Sequence, residues 1–162
     1  MPKSKEEIIK IFSRVRPDYS NLLNDLNAED YPIVESLIDG DNLYLSGKVV
    51  SYIGLLKTEK ALVSLAIAAK SQKPSIRAIA AHALREFDFA NFPKAKGLIS
   101  ELLEDSNLGV RKFALKTIDF AKLVDFKEKV QRLSLSETNE RMKILSTRIK
   151  DNLDKFDNIS IR

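Results

Sequence analysis

The chain contains one histidine, His82, and no cysteine among its 162 residues. Those two counts bound the chemistry open to it. Thiolate zinc sites and disulfides are excluded, as is any site needing several imidazoles, and no acidic stretch has the spacing of a twelve-residue calcium loop. No metal and no cofactor are therefore expected. His82 sits in KPSIRAIAAHALREF, residues 73 to 87. A nucleophile and base need a bonded pair and a third, orienting group. On its own helix His82 has only Ser75, Arg85 and Glu86 to offer, and Glu86 at i+4 is an ordinary surface pairing. Glu101, Glu104 and Asp105 form the densest carboxylate group, which reads as a solvated face plus a helix cap. No phosphate-cradling glycine loop, G-x-S-x-G elbow or H-E-x-x-H motif is present. No catalytic residue is assigned.

The elements that carry these residues repeat. Ile76-Arg77, Ala80 and Leu84 recur as Val110-Arg111, Ala114 and Ile118. Leu45, Val49, Ile53 and Leu56 take the equivalent places upstream, and Met142, Ser146 and Leu153 take them downstream. Four helices thus share one register. Each follows a first helix with its own signature. Tyr31-Pro32 before Leu37-Ile38 and Asp41-Asn42 is echoed by Phe92-Pro93 before Leu98-Ile99, Asp105 and Asn107. Proline suits a first helical turn, and Asp or Asn suits the cap of the next helix. Helix pairs are expected at residues 31–56, 59–88, 92–123 and 126–153.

Residues 1–30 read as an N-terminal helical cap. Ser4 and Glu7 have capping-box spacing ahead of Ile8, Ile11, Phe12 and Val15, and a second short helix is expected around Pro17 to Leu26. Residues 154–162 read as a tail. MPKSKEEIIKIFSRV lacks the apolar core of a signal peptide, and the most apolar run, ALVSLAIAA, is about half a membrane span, so a cytoplasmic protein is expected.

With the repeat established, the chain resembles the HEAT and HEAT-like repeat family, which includes repeats of the phycobilisome-lyase type. EDSNLGVRKFALKTI (residues 104–118) and KPSIRAIAAHAL (residues 73–84) carry the resemblance. It implies an all-α fold, a right-handed α–α superhelix of about four helix pairs behind the cap. It also implies a structural ladder joining neighbouring units, for which Arg77, Arg111, Asp41 and Asp105 are the available residues. The chain departs from the family pattern at Ser46, at Ser71-Gln72 and at Lys143.

The resemblance further implies that the second helix of each pair lines the concave surface. At about 100° per residue, Ile76, Ala80, Ala83, Leu84 and Phe87 fall on one side and His82, Ala78 and Arg85 roughly opposite. The equivalents of His82 are Ser51, Lys116 and Arg148, and Lys112 corresponds to Ala78. His82, Arg85, Lys112, Lys116 and Arg148 are the expected partner-binding row, with ordinary solvated surface as the competing reading.

Charge sharpens the expectation. The net charge is +4, but residues 17–47 hold seven acidic and no basic residues. Residues 107–150 hold eleven basic and five acidic, a net of +6. The expected function is a non-enzymatic protein–protein interaction module, a small scaffold, adaptor or regulatory subunit. Its partner would be another protein, best one with an acidic surface, and self-association through the oppositely charged ends is a further option. The alternative is nucleic-acid binding through phosphate contacts; tyrosines that all lie in the acidic first third or just beyond it, and the absence of tryptophan, argue against base reading. A HEAT-like lyase or DNA-repair-type enzyme ranks behind both.

Overall fold

The computed structural model describes residues 1–14 and 19–160. Among the described residues it is all-helical: α1 (Lys5–Phe12), α2 (Tyr19–Asp25), α3 (Tyr31–Glu35), α4 (Leu43–Leu55), α5 (Glu59–Ala68), α6 (Pro74–Ala83), α7 (Pro93–Leu103), α8 (Leu108–Phe120), α9 (Lys127–Ser136) and α10 (Glu140–Ser160). None of these helices is long and apolar enough to cross a membrane.

Local signals set the boundaries. The Ser4–Glu7 capping box opens α1, with both reciprocal bonds formed. Asparagine side chains accept backbone N–H bonds at the starts of α4, α8 and α10, namely Asn42, Asn107 and Asn139. Prolines enter α3, α6 and α7 in the first turn. Of the expected second cap helix, Pro17 lies outside the described residues, as does Val15, and α2 covers the remainder. The expected tail is corrected over residues 154–160, which continue α10. Neither Gly nor Pro follows Leu153 to stop the helix. Lys150 bonds Asp154 one turn on at 2.6 Å, Lys127 holds Asp157 at 2.8 Å, and Phe156 packs on the core.

The chain forms two layers. Helices α4, α6, α8 and α10 stack in order as one layer, with α6 between α4 and α8; helices α5, α7 and α9 pack outside them. The buried set of α6 is Ile76, Ala78, Ala80, Ala81 and Ala83. The expectation that Ala78 faces away from the core is thereby corrected, because a helix packed on two sides buries an arc wider than a single stripe. Small residues let the layer close up. A Cβ on Gly54 would lie 2.8 Å from the Ala83 Cβ and 3.1 Å from its carbonyl oxygen. Between α8 and α6, the buried Thr117 hydroxyl donates to the Ala81 carbonyl at 2.7 Å. The cap is tied on by Lys48 of α4, whose buried ammonium donates to the carbonyls of Phe12 and Arg14 at 2.9 and 2.6 Å, at the C-terminal end of α1.

A polar line joins the turns along one edge. Arg77 binds Asp105 through two bonds, at 2.7 and 2.9 Å, and donates to the Ser71 carbonyl at 2.9 Å. Arg111 repeats the pattern one step on, binding Glu137 at 2.7 Å and the Asp105 carbonyl at 3.0 Å. Asp105 and Glu137 also accept from the backbone N–H two residues later, at Asn107 and Asn139. Asp41, assigned to this ladder above, is exposed and Asp39 takes the place. The Asp39 carboxylate accepts from the Ser71 hydroxyl at 2.8 Å and pairs with Lys73 at 3.3 Å. The reason is local: Ser46 stands where an arginine would reach across, and its hydroxyl instead donates to the Leu37 carbonyl at 2.9 Å.

Two predictions follow from this packing. Gly54→Ala forces Ala83 to shift and is expected to destabilise by about 1–3 kcal/mol, whereas Gly97→Ala, with nothing within 4 Å of the new Cβ, is expected to stabilise by about 0.5–1 kcal/mol; chemical denaturation checks both. The Arg77 guanidinium holds the Asp105 carboxyl below its ordinary range. A carboxyl with a depressed folded pKa contributes stability that is present above the unfolded value near ~4 and is lost as pH falls from there through the folded value. Asp105→Asn should therefore cost about 1.5–3 kcal/mol at pH 7 and flatten the acid limb of the stability curve below pH ~4.

Candidate functional site

The residues of the expected row, Arg85 apart, lie on α4, α6, α8 and α10. His82, Lys112, Lys116 and Arg148 are all exposed there, and Ser51 is half-buried. Arg85 departs from the row. It lies in the 3₁₀ turn Leu84–Glu86 that ends α6, half-buried, with its guanidinium carbon 4.0 Å from the centre of the Phe120 ring. The helical turn tightens there, which carries Arg85 off the α6 face and onto the rim.

Aromatic and basic residues interleave on this surface, which corrects the segregation inferred from the tyrosines alone. The His82 and Phe113 rings meet edge to face with centroids 5.7 Å apart. Lys116 sits over Phe113 at 6.0 Å and Lys48 over Tyr44 at 4.0 Å. The two phenylalanines sit at helical spacings that read equally well as core, so only the stacking of α8 beside α6 reveals them as surface neighbours of the basic groups.

Next to His82 lies a cavity of about 240 Å³, lined by Tyr19, Ser51, Leu55, His82, Ala83 and Glu86. Tyr19 comes from α2 of the cap, some sixty residues away in sequence, and no periodic signal announces it. The Ser51 hydroxyl donates to the Gly47 carbonyl at 2.9 Å, and Ser51 is also a hydrogen-bond partner of Tyr19. Burial pushes the Tyr19 phenol upward, against the opposing effect of Ser51. Partial burial lowers the His82 pKa, with Arg85 and Lys116 acting in the same direction and Glu86 opposing them. That shift favours the neutral imidazole, the form able to accept a proton. Glu86 lies 3.8 Å from both Lys57 and Arg85, too far for direct bonds. An imidazole and a phenol line the same cavity, with Arg85 and Lys116 close enough to act on His82. That set can move a proton at a bound molecule and hold carboxylates beside flat, conjugated surface. Among the described residues no group of His, Asp and Glu is placed to hold a metal ion.

No protein-family model matches the sequence, and no curated protein does so. The fold, however, matches a solved structure: one chain of the complex of CpcE and CpcF of phycocyanin lyase from Nostoc sp. PCC7120. The TM-score is 0.69 at 16% identity, over 90% of this chain and 97% of that one. The chain is a HEAT-like α-solenoid. That neighbour was solved as a complex of two different chains. The expectation of a non-enzymatic interaction module is overturned by this match. A lyase is built on the same fold, so the lack of nucleophile elbows and metal motifs carries no weight against catalysis here. The nucleic-acid alternative draws nothing from the comparison.

Because His82 is the only histidine, a single proton-NMR titration reads its pKa without assignment. A midpoint below the ordinary value near ~6.5 is expected, and Lys116→Glu should move it upward by removing a nearby cation. A midpoint above the ordinary value would contradict the electrostatics described.

Proposed function

We propose that the chain is a lyase-type subunit that acts, with a second protein, on a chromophore-bearing protein of the phycocyanin kind. The observation that supports this reading is the groove itself. It sets the His82 imidazole and the Tyr19 phenol at one cavity, with the half-buried Phe113 ring against the imidazole and Lys116 over that ring, in a solenoid whose fold a phycocyanin lyase chain shares. A chromophore would find aromatic surface in Phe113, and any anionic group on it would find countercharge in Lys112, Lys116 and Arg148. His82 would take or return the proton that making or breaking a bond next to a double bond requires. The cavity beside it, with Tyr19 and Ser51, would orient the reacting end.

The repeat units proposed from the sequence, residues 31–56, 59–88, 92–123 and 126–153, would then divide the work. The first and second would line the cavity beside His82, the third would supply Phe113 and Lys116 and the fourth Arg148, and the cap would close one end through Tyr19. A cytoplasmic setting suits this reading, as does a protein partner bound along the basic row.

The test is chromophore transfer. Phycocyanin and its chromophore-free form are incubated with the purified chain, alone and with the proteins that co-purify with it, and attachment or release is followed by visible absorbance. A rate at least tenfold above the protein-free control is expected, falling about tenfold in His82→Ala and in Lys116→Glu, since positioned general acid–base groups contribute roughly 10²–10⁴-fold. A rate unchanged in both preparations would contradict the proposal.

A further inference from the structure

On the outer layer, Val63 and Ile67 of α5 are 59% and 50% exposed, one turn apart. Among the described residues α7 exposes no large apolar side chain and α9 only Leu135. An outer helix that met only water would carry polar residues on that side. Beside the two residues a groove of about 370 Å³ runs between α5 and α7. Leu62, Val63 and Ala66 line it from α5, and Gly97 and Leu98 from α7. The lining residues recur three and four apart on both helices, so the groove is a trough between two helices, the shape that receives the ridge of a third. A Cβ on Gly97 would meet nothing within 4 Å, which leaves room in the trough for an incoming side chain.

Charge marks the two ends. Alternate helices of a solenoid run the same way, so Glu59, the first residue of α5, and Glu101, near the end of α7, lie at opposite ends of the groove. They outnumber Lys94, the one cation that lines it. The helix that fits such a groove has apolar residues a turn apart and a basic residue beyond them. α5 itself has that pattern in Val63, Ile67 and the exposed Lys70. Among the described residues Glu59, Glu101 and Lys70 take part in no ion pair.

We propose that two copies of this chain associate about a two-fold axis through these outer faces, each setting Val63 and Ile67 into the other's α5–α7 groove. The two α5 helices run antiparallel. Glu59 and Lys70 stand about 16 Å apart along the helix, so Lys70 of each copy meets Glu59 of the other at both ends of the contact. A parallel pairing would set Lys70 against Lys70 and Glu59 against Glu59. The contact is small, and a dissociation constant on the order of micromolar is expected. The α4, α6 and α8 layer lies on the far side of α5 and α7 and stays open on both copies. The dimer is independent of the chromophore reading.

Sedimentation velocity of the full chain, from about 1 to about 300 µM, should show one chain giving way to two. Val63→Glu should weaken the dimer at least roughly tenfold. Gly97→Gln should do the same by filling the groove, at a position where the single chain has space. Unchanged far-UV circular dichroism separates loss of contact from loss of fold. Glu59→Lys and Lys70→Glu should each weaken the dimer about fivefold or more, and an equimolar mixture of the two should regain wild-type affinity, because each supplies the charge the other lost. A chain that stays monomeric, a dimer indifferent to both Val63→Glu and Gly97→Gln, or a mixture no tighter than its components would overturn the proposal. A monomeric chain whose α5 and α7 amides respond instead to added phycocyanin would assign the groove to another protein, and would overturn it equally.

Discussion

Everything on the functional side of this protein depends on how closely α6 is held between α4 and α8. Gly54 against Ala83 and the bond from Thr117 to the Ala81 carbonyl leave little room between the three helices. Interiors packed to this density deform little, so the relative heights of the helices are set by backbone contact rather than by long side chains. That setting puts Ser51 and His82 against one cavity and brings Phe113 to the edge of the imidazole. A larger residue at Gly54 would separate α4 from α6 and open the His82 pocket, which takes Ser51 and Leu55 from one helix and His82 and Ala83 from the other.

The polar edge acts on the same layer from its N-terminal ends. Arg77 and Arg111 each grip the acidic turn of the following pair and a carbonyl of their own turn. Both side chains are mostly buried and bonded along the guanidinium edge, a geometry that fixes direction as well as distance. The ladder therefore sets orientation and the small residues set spacing. Neither touches the groove, yet both determine where its side chains stand.

Most of this architecture was legible in the sequence because it is local and repeated. Four helices in one register, the Ser4–Glu7 box and the first-turn prolines each depend on neighbours a few residues away. What escaped depended on contacts across units. Glu137 looks like an ordinary surface acid until Arg111 is seen to reach it over twenty-six residues. Asp39 and Asp41 are interchangeable by spacing, and Ser46 decides between them through a bond to Leu37. Tyr19 joins the His82 pocket from the cap, whose sequence carries no repeat to place it. Ala78 was misplaced because a helical wheel describes one packed side, and α6 has two. Phe113 and Phe120 have core-like spacing, so their place beside the basic residues emerged only from the stack.

The absence of enzyme motifs is a weak guide in a fold of this kind. Motifs such as the nucleophile elbow mark folds that place catalysis in one loop, whereas a solenoid distributes its groups over several helices, one or two from each. The central claim is that the exposed side of the α4, α6 and α8 layer is the working surface. Hydrogen–deuterium exchange of the chain mixed with phycocyanin tests this most directly. Protection is expected in peptides covering Tyr44–Leu55, Ile79–Glu86 and Lys112–Phe120, with the outer helices α5, α7 and α9 unchanged. Protection confined to those outer helices, or none anywhere, would contradict it.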